Sequence, residues 1–153
     1  MKKATVILGS DHAAFQLKEF VKVILLRKNY KVFDLGAYDE ESVDYPDFAA
    51  KVALRVSKGK DMRGILSCGT GIGMTISANK IKGIRAALVR TPFEAKISRE
   101  HNNANILVLG GRPFNKANIA KIVDVWLKTK FGGGRHARRV NKIKELEKKY
   151  LKP

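Results

Sequence analysis

Apolar and polar residues are arranged in two kinds of segment that alternate along this chain of 153 residues. Short apolar runs, typical of buried strands, are each followed by a longer stretch with apolar residues every third or fourth position, which is typical of a helix. The predicted strands cover residues 5–8, 31–35, 64–67, 84–89 and 106–109. This alternation indicates repeated βαβ units. It predicts a three-layer α/β/α, Rossmann-like fold with a five-stranded parallel sheet.

Helical spacing is clearest where Ile119, Ile122, Val123 and Trp126 fall on one face, so Trp126 is predicted to lie in the core. Earlier helices are expected from about residue 13, from Pro46, over residues 74–80 and from Pro92. A last helix follows the glycines 132–134 and has only a thin apolar stripe. That stripe fits docking on another subunit and packing on its own domain equally well.

Composition indicates one domain over residues 1–153, since 44% hydrophobic and 29% charged residues are typical of a globular protein. No apolar run approaches the roughly 18 residues that cross a bilayer. The first residues lack the apolar stretch of a secretory signal. The single cysteine cannot form an internal disulfide, so we expect a cytoplasmic location.

The formal net charge of +17 would attract phosphorylated metabolites, nucleic acid or an anionic membrane. Most lysines fall on polar helix faces, which makes them solvated positions. Residues 135–152 are more densely basic. A nucleic-acid-binding protein is therefore an alternative, but no aromatic residues alternate with Lys or Arg to form a stacking platform.

Cys68 lies between an apolar strand and a glycine-rich segment, residues 69–73, which is called the glycine loop below. At the start of a helix, unpaired backbone N–H groups favour the thiolate of a cysteine and can hold a developing oxyanion. The alternative is a small buried apolar residue beside a tight turn. The spacing of the glycines differs from that of a dinucleotide-binding motif. No Lys-Ser or Lys-Thr follows the last glycine, as it would in a phosphate-binding P-loop.

Polar residues also follow the first and fifth predicted strands, at the edge where an open parallel sheet binds ligands. Residues 10–12 follow the first strand and Arg112 follows the fifth. His101 could cap a helix or act in catalysis, and His136 has no clear role. A cysteine hydrolase, with His101 activating Cys68, is an open alternative. No two of the three histidines and one cysteine have the close spacing along the chain that is typical of paired metal ligands, so no metal site is expected.

Taken together, these segments resemble the B-type ribose-5-phosphate isomerases, a family that also includes allose-6-phosphate isomerases and galactose-6-phosphate isomerase subunits. The resemblance runs from the first strand to the last helix. It is carried by seven segments in one order: residues 10–15, 44–46, 68–74, 78–80, 83–86, 101–105 and 133–136.

The resemblance implies three catalytic residues. Cys68 would be the base that moves the proton, Thr70 a hydroxyl that relays protons, and His101 the acid–base residue for opening the furanose ring. The glycine loop, with Gly69, Gly71 and Gly73, would hold the enediolate oxygens.

It also implies the substrate contacts. Asp11 and Asn102 would position the sugar hydroxyls, and Tyr45 and Arg112 would complete the pocket. The phosphate would be bound by His12, Arg135 and Arg139.

The implied reaction interconverts ribose 5-phosphate and ribulose 5-phosphate through an enediolate, without metal or cofactor, in the non-oxidative pentose phosphate pathway. A hexose-6-phosphate isomerase of the same family is the alternative substrate assignment. In this family the site is shared between subunits, so the resemblance implies a homodimer or homotetramer.

Overall fold

The computed structural model describes residues 2–151. Lys152, which belongs to the predicted basic stretch, lies outside the described residues together with Met1 and Pro153. The strands are β1 (Thr5–Ser10), β2 (Val32–Asp34), β3 (Met62–Cys68), β4 (Ala86–Leu88) and β5 (Ile106–Gly110). The helices are α1 (Phe15–Arg27), α2 (Tyr45–Ser57), α3 (Ile72–Ala78), α4 (Pro92–Glu100), α5 (Lys116–Lys128) and α6 (Arg135–Tyr150).

The five strands form one parallel sheet in the order β2-β1-β3-β5-β4. This confirms the predicted fold class. The chain builds the sheet outward from β1 to β2 and then crosses to the other side of β1 to add β3. Such a reversal leaves a crevice at the carboxyl ends of the two central strands, which is where open α/β sheets bind ligands.

Apolar side chains cover both faces of the sheet. One core lies between α1 and α5 and one face of the sheet, and Trp126 is fully buried in it, as predicted. The other core packs α2 and α3 on the opposite face, and Cys68 is part of it. Because side chains of a strand alternate between faces, neighbouring residues of β3 contribute to different cores. Burial on both faces explains why the strands are continuous apolar runs.

The strand and helix bounds differ from the predicted ones by a few residues. The first strand continues to Ser10 and the third to Cys68, because backbone pairing in register continues through Gly9↔Leu66 and Ser10↔Ser67 beyond the apolar run. The fourth is shorter, at Ala86–Leu88. α3 begins at Ile72 rather than residue 74 because Gly71 already caps it.

A buried ion cluster joins α1 to β2. The Lys18 side chain is 1% exposed, and its Nζ lies 2.7 Å from Asp34 Oδ2, which also accepts a hydrogen bond from Lys22 Nζ at 2.9 Å. Burial alone would raise the pKa of Asp34, but the hydrogen bonds from both lysines outweigh it and lower this pKa below its usual value. The cluster therefore holds an ionised carboxylate beneath α1.

Within residues 2–151, none of the helices has the length and apolar character that crossing a bilayer requires.

Candidate active site

The carboxyl edge of the sheet brings together most of the predicted site residues. Asp11 and His12 follow β1, Cys68 ends β3, and Arg112 follows β5. Tyr45 is the first residue of α2, on the same edge. The topological reversal between β1 and β3 thus places a thiol beside a carboxylate and an imidazole.

Cys68 is held against the glycine loop by a backbone contact. Its side chain is 4% exposed, and its Sγ accepts a hydrogen bond from Gly71 N at 3.1 Å. Gly71 has a φ of 80°, in the left-handed region. A Cβ there would also lie 2.5 Å from Leu88 Cδ1. Only glycine aims this N–H at the sulfur without strain.

The glycine loop is anchored to the end of β5. The Cys68 carbonyl accepts a hydrogen bond from Gly111 N at 2.9 Å, and the Gly69 carbonyl accepts one from Arg112 N at 3.0 Å. Thr70 Oγ1 accepts the amide N–H of Ile72 at 3.2 Å, which leaves the hydroxyl proton available for donation. The loop is therefore a preorganised set of amides and one hydroxyl beside the thiol.

Two side chains after β1 are fixed by backbone amides. Asp11 is 6% exposed, and its Oδ1 accepts a hydrogen bond from Ala14 N at 3.1 Å. His12 Nδ1 accepts one from Val43 N at 3.1 Å. Because Nδ1 acts as an acceptor, the ring proton is on Nε2, which can donate to an anion. The role of Val43 was not predicted, since it contributes only a backbone amide.

The Tyr45 ring lies directly over the glycine loop. A Cβ built on Gly73 would be 2.5 Å from Tyr45 Cζ, so the absence of a side chain at Gly73 makes room for the ring. Tyr45 is 40% exposed, which leaves its hydroxyl free to meet a ligand. The Gly69 backbone similarly lies next to the stem of Arg112, whose Cδ would be 3.9 Å from an added Cβ.

The other predicted site residues form a separate group at the amino edge of the sheet. His101 is the C-cap residue of α4, and its ring stacks on His136 with centroids 4.2 Å apart and an interplanar angle of 10°. Partial desolvation is the largest cause that lowers the pKa of His136. The nearby His101 and the positive charges of Arg135 and Arg139 lower this pKa further. The stacking of His136 on His101 was not predicted from the sequence. The three preceding glycines are the one signal for it, because they let the chain turn back onto α4, where Gly132 N donates to Glu100 O at 2.9 Å.

Within one chain the two groups lie on opposite edges of the sheet. His101 and Asn102 precede the first residue of β5, whereas Gly110 at its end pairs with Cys68. Four residue steps along β5 separate the edges by roughly 13 Å. One copy of the chain therefore does not bring His101, Asn102, Arg135 or Arg139 to its own Cys68.

Comparison with known proteins agrees with this fold. The family model described as Ribose/Galactose Isomerase matches residues 6–143. The chain belongs to this family. The match confirms the resemblance seen in the sequence.

Individual members of the ribose/galactose isomerase family are similar over nearly the whole chain. Ribose-5-phosphate isomerase B of Escherichia coli is 42% identical over 149 residues, which are 97% of this chain and 99% of that protein. The structure of Clostridium thermocellum ribose-5-phosphate isomerase B superposes with a TM-score of 0.93 at 51% identity, covering 95% of this chain and 99% of the other. That of the Mycoplasma genitalium enzyme with bound ribulose-5-phosphate gives 0.90 at 44% identity, covering 94% and 96%.

Proposed function

We propose that the protein interconverts ribose 5-phosphate and ribulose 5-phosphate, with Cys68 as the base. One observation carries the proposal: the Cys68 sulfur accepts the Gly71 N–H at 3.1 Å in the crevice between β1 and β3. Family membership and the ribulose-5-phosphate in the Mycoplasma genitalium structure support the substrate class.

The proposed chemistry transfers one proton between neighbouring carbons of the open-chain sugar. The Cys68 thiolate takes the proton from C2, and the electron pair moves onto the C1 carbonyl oxygen to give an enediolate. The thiol then returns the proton to C1, while the O2 proton passes to O1. Amides of the glycine loop stabilise the negative oxygen, and the Thr70 hydroxyl relays the proton between the two oxygens.

Substrate binding follows from the remaining groups at the carboxyl edge. Asp11 and Tyr45 face the sugar hydroxyls, and the His12 Nε2–H donates to the phosphate. Arg112, beside Gly69, contributes a guanidinium that pairs well with phosphate oxygens.

The other implied residues act from a second copy of the chain. His101 then opens the furanose ring, Asn102 orients a hydroxyl, and Arg135 and Arg139 bind the phosphate. A homodimer or homotetramer with shared sites in the cytoplasm is the assembly that we propose. Its support is the apolar surface of α6, where Leu146 is 58% and Tyr150 68% exposed beside a cavity of about 650 Å³.

Replacement of the sulfur tests the proposed base. Cys68→Ser keeps the shape but removes the acidic thiol, so we expect kcat to fall by about 10²- to 10⁴-fold with substrate affinity nearly unchanged. Isomerisation assays and exchange of the C2 proton in D₂O measure the loss. Ser67→Ala is the matched control, because the neighbouring side chain points to the other face of the sheet. Near-normal turnover and exchange in Cys68→Ser would remove Cys68 as the base.

A hexose-6-phosphate isomerase is the second candidate, because the matching family model includes galactose isomerases in its description. The chemistry at Cys68 is the same, and only the length of the sugar differs. Comparing kcat/KM for ribose 5-phosphate with that for allose 6-phosphate and galactose 6-phosphate decides between them. We expect the pentose phosphate to have the highest value.

A further inference from the structure

A second concave region lies at the amino edge of the sheet, on the side away from Cys68. It is a cavity of about 570 Å³ between the start of β3, the segment before β5 and the end of α5. Five lysines and three arginines line it, against a single carboxylate, Asp61. None of the residues assigned to the isomerase site lines this cavity. Its charge therefore serves no function described so far.

Three arginines form the inner part of the cavity, and backbone carbonyls hold them in place. One nitrogen of each donates to a carbonyl oxygen, at 2.9 Å for Arg63, 3.0 Å for Arg85 and 2.6 Å for Arg99. The guanidinium groups of Arg63 and Arg99 also lie over the Trp126 ring, 5.6 and 5.8 Å from its centroid. These contacts fix the arginines in position before any ligand arrives.

In the described part of the chain, the positive charge of the three arginines is not neutralised by an ion pair, whereas Lys128, which also lines the cavity, pairs with Asp124. Among residues 2–151, no carboxylate lies within 4.0 Å of the three arginines, and their Nη2 atoms donate no hydrogen bond. Burial, and then repulsion by Arg63 and Arg85, lowers the pKa of Arg99 to about 10. A guanidinium that is removed from water without a carboxylate partner is costly, and an anion bound among the three would offset part of that cost.

We propose that this cavity binds the diphosphate group of a small molecule. Guanidinium groups pair with phosphate oxygens in a two-pronged fork, and three of them at one place match more than one phosphate. Arg99 is only 6% exposed, so its free nitrogen is reached by a compact anion rather than by the backbone of a nucleic-acid strand. The volume is that of a site for one small ligand. Tyr30 lines the same cavity and offers a ring to a nucleoside part.

Calorimetric titration with inorganic pyrophosphate tests the proposal. The full chain carrying Arg135→Gln and Arg139→Gln is used as the background, because losing these two arginines weakens the competing phosphate site proposed for the isomerase. We expect one pyrophosphate per chain. The Lys60→Gln, Lys130→Gln pair and Arg63→Gln should each weaken binding about tenfold or more, as the loss of a charge-assisted hydrogen bond does. The Lys121→Gln control, an exposed lysine of α5 that does not line the cavity, should leave it unchanged.

Each outcome of the titration bears on the proposal. Loss of binding in the lysine pair, whose exposed side chains are not needed for folding, supports it even if Arg63→Gln proves unstable. Tighter binding of a nucleoside diphosphate than of pyrophosphate would identify a nucleotide as the source, and equal affinity would identify the free diphosphate. No binding in the background, equal weakening by Lys121→Gln, or binding of an RNA oligonucleotide that pyrophosphate does not displace would overturn the proposal. Isomerase activity is not used as a readout, so failure here leaves the proposed function untouched.

Discussion

Two glycines of the loop act at the scale of single residues, each for a different physical reason. Gly71 supplies the left-handed φ that aims an N–H at the Cys68 sulfur. Gly73 supplies empty space, which the Tyr45 ring fills. The first is a requirement of the backbone, and the second is a requirement of packing.

Gly73→Ala tests the packing requirement. The added Cβ would lie 2.5 Å from Tyr45 Cζ, so the ring has to move away from the loop. Because the ring is the outer end of a partly exposed side chain, we expect a change of stability within about 0.5 kcal/mol. The displaced hydroxyl should lower kcat/KM about tenfold, since small misplacements of positioning groups are costly.

Repeating Gly73→Ala in a Tyr45→Ala chain separates displacement of the Tyr45 ring from damage to the glycine loop. In a Tyr45→Ala chain there is no ring to displace, so Gly73→Ala should change kcat/KM little further. A full additional loss in that background would show that Gly73 acts through the loop itself.

At the scale of elements, the contact of α1 with β2 depends on a buried charge. Lys18 is 1% exposed, and its strongest partner is Asp34, whose side chain is 10% exposed. Without Asp34, the buried Lys18 charge would keep one carboxylate partner, Glu19 at 2.8 Å, whose side chain is 37% exposed and therefore compensates it less well. A second carboxylate, Asp124 on α5, pairs with Lys28 and Lys128 at the surface and is 29% exposed.

The two carboxylates make a matched comparison. Asp34→Asn should lower the free energy of unfolding by about 3–5 kcal/mol, as expected for breaking a buried pair. Asp124→Asn should lower it by about 0–1 kcal/mol, as expected for a surface pair. Urea unfolding at pH 7 measures both. Equal losses would contradict the buried character of the Lys18 cluster.

The ion pair of Lys18 and Asp34 makes the free energy of unfolding depend on pH. The pKa of Asp34 is lower in the folded chain than its usual value of 3.8, so its contribution to stability is complete above that pH. The contribution is lost as the pH falls through the lowered pKa of the folded state. The difference in unfolding free energy between the natural chain and Asp34→Asn should therefore shrink in acid.

At the scale of the whole molecule, the proposed site is divided between the two edges of the sheet. The thiol and glycine loop lie at the carboxyl edge, and His101 with α6 lies at the amino edge. A second copy, related by a two-fold axis, is the simplest way to bring the edges together. Each dimer would then contain two such sites.

Mixing two inactive variants tests the division. Cys68→Ser and His101→Asn each damage every site in their own homodimers. After unfolding and refolding together, half of the dimers are mixed, and one of the two sites in each has both natural residues. Activity should return to about a quarter of the natural level. A Cys68→Ser, His101→Asn double variant refolded with the natural chain is the control, because its mixed dimers contain no intact site. No recovery in the first mixture would indicate that the site is complete within one chain.

Much of this arrangement can be predicted from the sequence. Periodicity identified all five strands, and the spacing of residues 68–73 identified the thiol and its loop. Strand ends were less accurate, because pairing continues past the apolar residues into Ser10 and Cys68. For His136 the three preceding glycines were the one signal, and they do not identify its partner, because His101 lies 35 positions earlier, beyond any local pattern.

By itself, the sequence determined the kinds of elements, their order and the chemistry that follows each strand, because these depend on neighbours a few residues apart. Only the tertiary structure decided which edge of the sheet each group occupies, which lysine and arginines are buried, and that three arginines share a cavity. Those outcomes depend on strand order and on the side of the sheet to which each crossover returns. Both are set by packing between residues far apart in the chain, and no local pattern encodes them.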